Sequence, residues 1–351
     1  MASPVMPTGS TSTRGIPTFE PGTDGPVRKR RRPNWLGWTL AIVVLVGCTF
    51  FLDLEELLSG LRRLGPGEIA LLVLISTADR VLMGIKWWHL LGIAGVKLPL
   101  LQVVRIFYQG SFAGVFLPSH VGGDVLRAYW ASEASGAPHH VLASLIVERL
   151  LGMVCAINVA VAGGMVYAAM LMPERPWLWI AGGALMLVGI STAFALAMSS
   201  RVHAFVLRHL ARHRRFKLAE TLHRFYEAYA SFGADKQGLA ANALLTLLEQ
   251  MLQMMLIYGI ALALGITAQP VAFLAATALY MFVIRIPVAP DGWGIGELTA
   301  IGIYALIDTS TTDAFSISII GHIIPMLALA PGFLFLLRGS PEPPAAEARR
   351  F

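Results

Sequence analysis

From Asn34 to Leu337 the sequence is a succession of long apolar runs separated by short polar stretches, and this pattern limits the fold more than any other feature. A helix crosses the ~30 Å hydrocarbon core of a bilayer with ~20 apolar residues. Inside lipid each backbone N–H and C=O must find its partner within the chain, which favours helices built from such runs. Composition agrees: 56% of the 351 residues are hydrophobic and 14% are charged, where a soluble domain is about 25% charged. The fold class expected is an all-α polytopic membrane protein with no room for a large soluble domain.

Residues 1–34 are rich in Pro, Gly, Ser and Thr without apolar periodicity and read as a disordered tail. The tail ends in "RKRRR" (Arg28 to Arg32), directly before the run from Asn34 to Leu52. Basic residues beside a first span place the N-terminus in the cytoplasm. Leu45 to Cys48 resemble a lipoprotein cleavage box, but apolar sequence continues through Phe50, Phe51 and Leu52, so a span is preferred. Cys48 and Cys155 both lie in apolar runs and read as small core residues. Further runs extend from Ile69 to Leu91, Leu98 to Leu117, Val141 to Leu171, Trp177 to Met198, Gly238 to Gly265, Pro270 to Ala289, Leu298 to Ile307 and Phe315 to Leu337. Segment 201–237 is basic, with Phe205, Leu210, Phe216, Leu218, Leu222, Phe225 and Tyr229 near helical spacing. It reads as an amphipathic segment on the cytoplasmic membrane surface, or as a solvated loop on the same side. Residues 339–351 form a polar tail, so the membrane domain is expected over 35–338.

Crossings counted from a cytoplasmic N-terminus force two hairpins. The second run returns to the inner face near Lys86, Lys97 and Arg105, and the fifth must end inside at the basic segment. The chain between Lys97 and His140 therefore enters and leaves from one side, with "SHVGGDVLRAYWASEASGA" as a return leg too polar to face lipid. The runs on either side of "PVAPDGWGIGE" (Pro287 to Glu297) form a second hairpin from the opposite side. About six full transmembrane helices plus two opposed re-entrant helical hairpins result, an inverted-repeat-like arrangement of the kind secondary transporters use. Eight conventional spans are the alternative. The location expected is a bacterial cytoplasmic (inner) membrane, multi-pass, with both termini cytoplasmic.

Both breaks have one design. Proline ends a helix by removing a donor and clashing with the preceding turn; Gly122 and Gly123, or Gly292, Gly294 and Gly296, then turn the chain into a new helix. A helix start presents unpaired N–H groups and a positive dipole end, which suits an anion such as phosphate. Asp124 and Glu297 stand at those starts, as site residues or as helix caps. Arg80, Arg127, Glu148, Arg149, Glu249 and Arg285 add charges within or beside spans. A charge at bilayer depth costs ~3 kcal/mol or more, so these residues pair with one another or line a wet cavity. Buried ion pairs, such as Arg127 with Glu148 or Asp124, are the structural alternative. The functional one is a cavity whose arginines hold a lipid phosphate in their planar fork and whose carboxylates balance or relay protons. His120, His139, His140 and His322 are scattered, no metal-spaced set, G-x-S-x-G or P-loop occurs, and no strand precedes the G-x-G of "GWGIGE". No catalytic residue and no cofactor are expected.

"GSFAGVFLPSHVGGDVLRAYWAS", "ASLIVERLLGM" and "PVAPDGWGIGELTAIGIYAL" together resemble the lysylphosphatidylglycerol synthase transmembrane-region family over roughly residues 35–338. The resemblance implies paired re-entrant hairpins that move or bind lipids. It carries family motif positions onto Pro118, Gly122, Gly123, Asp124, Arg127, Glu148, Arg149, Gly294 and Glu297. Multidomain members attach lysine to phosphatidylglycerol through a soluble domain after the membrane region; with the sequence ending at Phe351, that activity is not expected here. Asp291 and Trp293 depart from the family's smaller residues at the second break, which implies a different lipid.

The leading expectation is a lipid flippase or transporter holding an anionic or phosphate-bearing lipid between the hairpins, with Arg80, Gly122, Gly123, Asp124, Arg127, Glu148, Arg149, Arg285, Gly294 and Glu297 as the binding set. A polyprenyl-phosphate-dependent glycosyl- or aminoacyl-transferase and a non-transporting envelope scaffold are the alternatives. Membrane lipids are the expected partners, a homo-oligomer is compatible with the sequence, and no nucleic acid is expected.

Overall fold

The apolar runs fold as helices. The computed structural model describes residues 64–115, 122–197, 231–285 and 293–337, with Glu55, Arg62, Ser199, Val202 and Tyr229. All belong to one unit, Asn34–Phe351. The tails 1–34 and 339–351, the first run, the break residues 116–121 and 286–292 with Pro118, Pro287 and Gly292, and most of 201–237 lie outside the described residues. Ten α-helices and one 3-10 turn fill the rest, with no strand among the described residues.

Local chemistry sets the helix ends. Helix α1, Pro66–Ile93, opens on proline, whose missing donor costs nothing in a first turn. Helices α2, Leu100–Val115, and α3, Gly122–Ser135, follow; then α4, Pro138–Leu171, and α5, Pro176–Ala197. Helix α6, Lys236–Ala263, is capped by Asp235, whose carboxylate accepts from the Gly238 amide at 2.8 Å. Helix α7, Pro270–Val283, is capped by Gln269 in the same way. Helix α8, Ile295–Tyr304, runs into the 3-10 turn Ala305–Ile307. Helix α9, Thr311–Ala328, is capped by Ser310, and α10 is Ala330–Leu337. Pro325 in the last turn of α9 lacks the amide that would bond the preceding turn, and the helix stops three residues later.

Helices α4, α5, α6 and the joined length Thr311–Leu337 are long and apolar enough to cross a membrane. Helix α1 equals α6 in length at 28 residues but carries Glu68, Asp79, Arg80 and Lys86 and falls outside that set. The chain is therefore a multi-pass membrane protein. Among the described residues helix α5 packs chiefly on α4 and buries none of its residues, as expected of a lipid-facing helix.

Packing divides the core in two. One apolar cluster joins α1, α2, α3 and the start of α4 around Trp87, Phe107 and Val141; the other joins α6, α7, α8 and α9 around Phe273, Tyr304 and Ile317. Helices α1 and α6 pack together, as do α4 and α7.

The two halves repeat one plan. Ser76, Asp79 and Gly95 recur at a single constant spacing as Thr246, Glu249 and Gly265. Helices α1 and α6 both end in a Schellman turn: Gly95 at φ +81° with the Val96 amide on the Leu91 carbonyl, and Gly265 at φ +78° with the Ile266 amide on the Ala261 carbonyl. After the breaks a slightly longer constant spacing relates Gly123, Asp124, Pro138 and Arg149 to Gly296, Glu297, Thr311 and His322. Helices α4 and α9 begin at equivalent positions, Pro138 and Thr311.

Candidate functional site

Helices α2 and α3 form an antiparallel pair held close by glycine. A side-chain carbon on Gly123 would lie 2.9 Å from the Gly110 carbonyl oxygen, and one on Gly114 would lie 3.0 Å from the Gly123 Cα. This approach lays the Arg127 stem over Gly110 and turns its guanidinium toward α4. Arg127 donates to Asp124 Oδ1 at 3.0 Å and to Glu148 Oε2 at 2.8 Å. Its face lies 4.3 Å from the Trp87 ring centre and 4.8 Å from that of Phe107. Trp87 is fixed by its indole N–H, which donates to Ser144 Oγ at 3.2 Å. Arg127 is only 4% exposed. Arg149, one position beyond Glu148 on α4, donates to Asp124 Oδ2 through Nε at 2.8 Å, yet 63% of its side chain is exposed. Asp124 thus bridges a buried arginine and an open one.

One turn along α4, Gly152 faces Arg285; a side-chain carbon there would lie 3.7 Å from the guanidinium. Arg285, in the turn just after α7, makes long contacts, 3.3 Å to Gln253 Oε1 and 3.9 Å to Glu249 Oε1. Glu249 is buried and pairs closely with Lys86 of α1. Asn242 supports that pair by donating to the Lys86 carbonyl at 2.8 Å. Asp79, 1% exposed, lies 2.9 Å from Arg80. Arg149 and Arg285 lie within electrostatic reach of one another and of Glu249. The first hairpin and the α1–α6 seam therefore share one field of charge.

The second hairpin holds a separate cluster. Gly294, at φ +83°, caps α8, and Glu297 reaches back so that its Oε2 accepts from the Gly294 amide at 2.6 Å. Glu297 is fully buried; its Oε1 accepts from Ser318 Oγ at 3.4 Å and lies 3.3 Å from His322 Nδ1. Tyr280 bonds Ser318 Oγ at 3.2 Å. The His322 ring stacks on Trp293 with centres 4.6 Å apart.

A sequence model described as the lysylphosphatidylglycerol synthase TM region matches residues 38–332. The chain belongs to this family. It is also similar to a UPF0104 membrane protein of Methanothermobacter thermautotrophicus, 20% identical over 326 residues that cover 86% of this chain and 92% of that protein.

All ten expected site residues fall inside the lysylphosphatidylglycerol synthase TM region. The structure brings Gly122, Gly123, Asp124, Arg127, Glu148 and Arg149 together at the first hairpin. Arg80 and Arg285 join Asp79, Lys86 and Glu249 on the α1–α6 seam, and Gly294 and Glu297 stand apart at the second hairpin. The alternative readings hold locally: Arg127 pairs with both Asp124 and Glu148, and Glu297 caps its helix. Sequence reasoning noted Lys86, Glu249, Trp293 and His322 but left them out of the site, and it passed over Asp79 and Trp87. Adjacency of Asp79 to Arg80 and of Trp87 to Lys86 was the available signal.

Proposed function

We propose that this chain is a lipid flippase or lipid transporter that binds a phosphate-bearing, anionic head group between two re-entrant hairpins. Helices α1, α4, α5, α6 and the α9–α10 length cross the bilayer, and α2–α3 and α7–α8 dip in from opposite faces. On this topology α1 runs inward and α6 outward, so the repeated halves are inverted, the design that places substrate near the midplane in secondary transporters.

A charge imbalance carries the reading. Within the linked ion pairs of the first hairpin and the α1–α6 seam, the five cations Arg80, Lys86, Arg127, Arg149 and Arg285 share four carboxylates, Asp79, Asp124, Glu148 and Glu249. An uncompensated charge at membrane depth costs ~3 kcal/mol or more, and a phosphodiester removes that cost. Arg149, which is open, and Arg285, whose contacts are long, have capacity to spare. Arg127 serves as a fixed post: stacked on Trp87 and Phe107, it holds Asp124 and Glu148 in place, and Asp124 aims Arg149.

The test is reconstitution in vesicles of phosphatidylcholine and phosphatidylglycerol, with tail-labelled phosphatidylglycerol followed by albumin extraction. The expected result is exchange between leaflets well above empty vesicles. Arg149→Gln with Arg285→Gln should slow it at least about tenfold, since each charge-assisted contact contributes ~1.5–3 kcal/mol. Wild-type vesicles no faster than empty ones would sink the proposal.

A further inference from the structure

The repeat spacing puts His322 where the first half has Arg149, and Glu297 where it has Asp124. Each pair joins the first turn of a hairpin's second helix to the helix that follows: Arg149 to Asp124 at 2.8 Å, His322 to Glu297 at 3.3 Å. The same frame thus carries a permanent cation in one hairpin and a titratable one in the other. Arginine stays protonated under all ordinary conditions, whereas histidine changes charge near neutral pH.

The surroundings suit proton exchange. His322 Nδ1 lies 2.9 Å from the Ser318 carbonyl oxygen, which can only accept, so Nδ1 carries the proton of the neutral ring. Nε2 is then the nitrogen that gains a proton. The resulting imidazolium stands beside the buried Glu297 carboxylate, with Trp293 stacked on its face. Around it, α8 contributes Glu297, α7 contributes Tyr280 through Ser318, and α9 contributes Ser318 itself. The charges of α1 and α6, Asp79, Arg80, Lys86 and Glu249, pair with one another and with Arg285.

We infer that the Glu297–His322 pair is a proton-binding site through which lipid movement is coupled to a proton gradient, one proton travelling with one anionic head group. The proton adds at Nε2 on one side of the membrane and leaves from it on the other. A phosphodiester carrying one negative charge then crosses with one positive charge, and no net charge moves. This inference rests on the flippase reading.

The experiment uses the same vesicles with the inner and outer pH set one unit apart. Labelled phosphatidylglycerol should accumulate in the leaflet on the alkaline side, up to about tenfold at equilibrium, the ratio one proton per lipid supports across one pH unit. With equal pH the leaflets should fill equally. His322→Arg and His322→Gln should still move lipid but leave the leaflets equal under the gradient. Wild-type exchange that ignores the gradient overturns the inference and leaves the flippase reading standing, whichever variants fold. A skew that survives in either active His322 variant overturns it too. Wild-type vesicles that move no lipid at any pH overturn the flippase reading itself, and the coupling with it.

Discussion

The two hairpins share a plan and close it with different materials. Helices α2 and α3 meet backbone to backbone through Gly110, Gly114 and Gly123, and the space saved goes to one buried arginine. Helices α7 and α8 meet through rings: Phe273 stacks on Tyr304 at 5.0 Å, Tyr280 lies 5.8 Å from Tyr304, and Thr277 bonds the Tyr304 hydroxyl at 3.0 Å. Glycine contact fixes a helix pair tightly and tolerates no added carbon, whereas aromatic contact fills a wider gap with area. The first hairpin is thus built around permanent charge. The second is built around an apolar wall with one titratable pair set in it.

That contrast can be broken at several points. The largest effect is expected from Glu148→Ala, which takes away one of the two carboxylates on buried Arg127. Breaking such a pair costs about 3–5 kcal/mol, so the melting temperature in detergent should fall sharply; an unchanged value would mean that Asp124 alone suffices. Next, Gly123→Ala drives a carbon against the Gly110 carbonyl, with a loss of about 1–3 kcal/mol. Gly302→Ala on α8, where an added carbon meets nothing within 4 Å, should cost no stability in the same melting assay. Arg149→His would give the first hairpin the second one's chemistry. Its cation is present at low pH and lost as the pH rises past about 6.5, so lipid exchange should fall about tenfold between pH 5.5 and 7.5 while wild-type changes less. The smallest effect is expected from Thr277→Val, which removes one hydroxyl bond to Tyr304 at about 1 kcal/mol, read as a small melting shift.

Much of the frame is legible because its signals are local. The start of α3 follows from the Gly122–Gly123 pair, and the start of α8 from Gly294 to Glu297. The pairing of Arg127 follows from the cost of an isolated charge at depth. Lys86 with Glu249 is different: the partners sit on helices far apart in sequence, and only the packing of α1 on α6 brings them together. His322 reads as one of several scattered histidines until the repeat spacing sets it opposite Arg149. The repeat itself is muted because equivalent positions keep the backbone role, as in Gly95 and Gly265, while side chains diverge, as in Arg149 and His322.

The break after Pro325 sends α10 back onto the first hairpin. Gln109 donates to the Phe335 carbonyl at 2.8 Å, Phe112 faces Phe333 at 5.8 Å, and Gly332 lies against the Tyr108 carbonyl. An early element of the chain is thereby covered by a late one. Chains emerge from the ribosome N-terminus first at about 5–20 residues per second, so the face of α2 that α10 covers stays open until Ala330–Leu337 has been made. Truncation before Ala330 should leave that face of α2 bare and make the first hairpin easier to degrade.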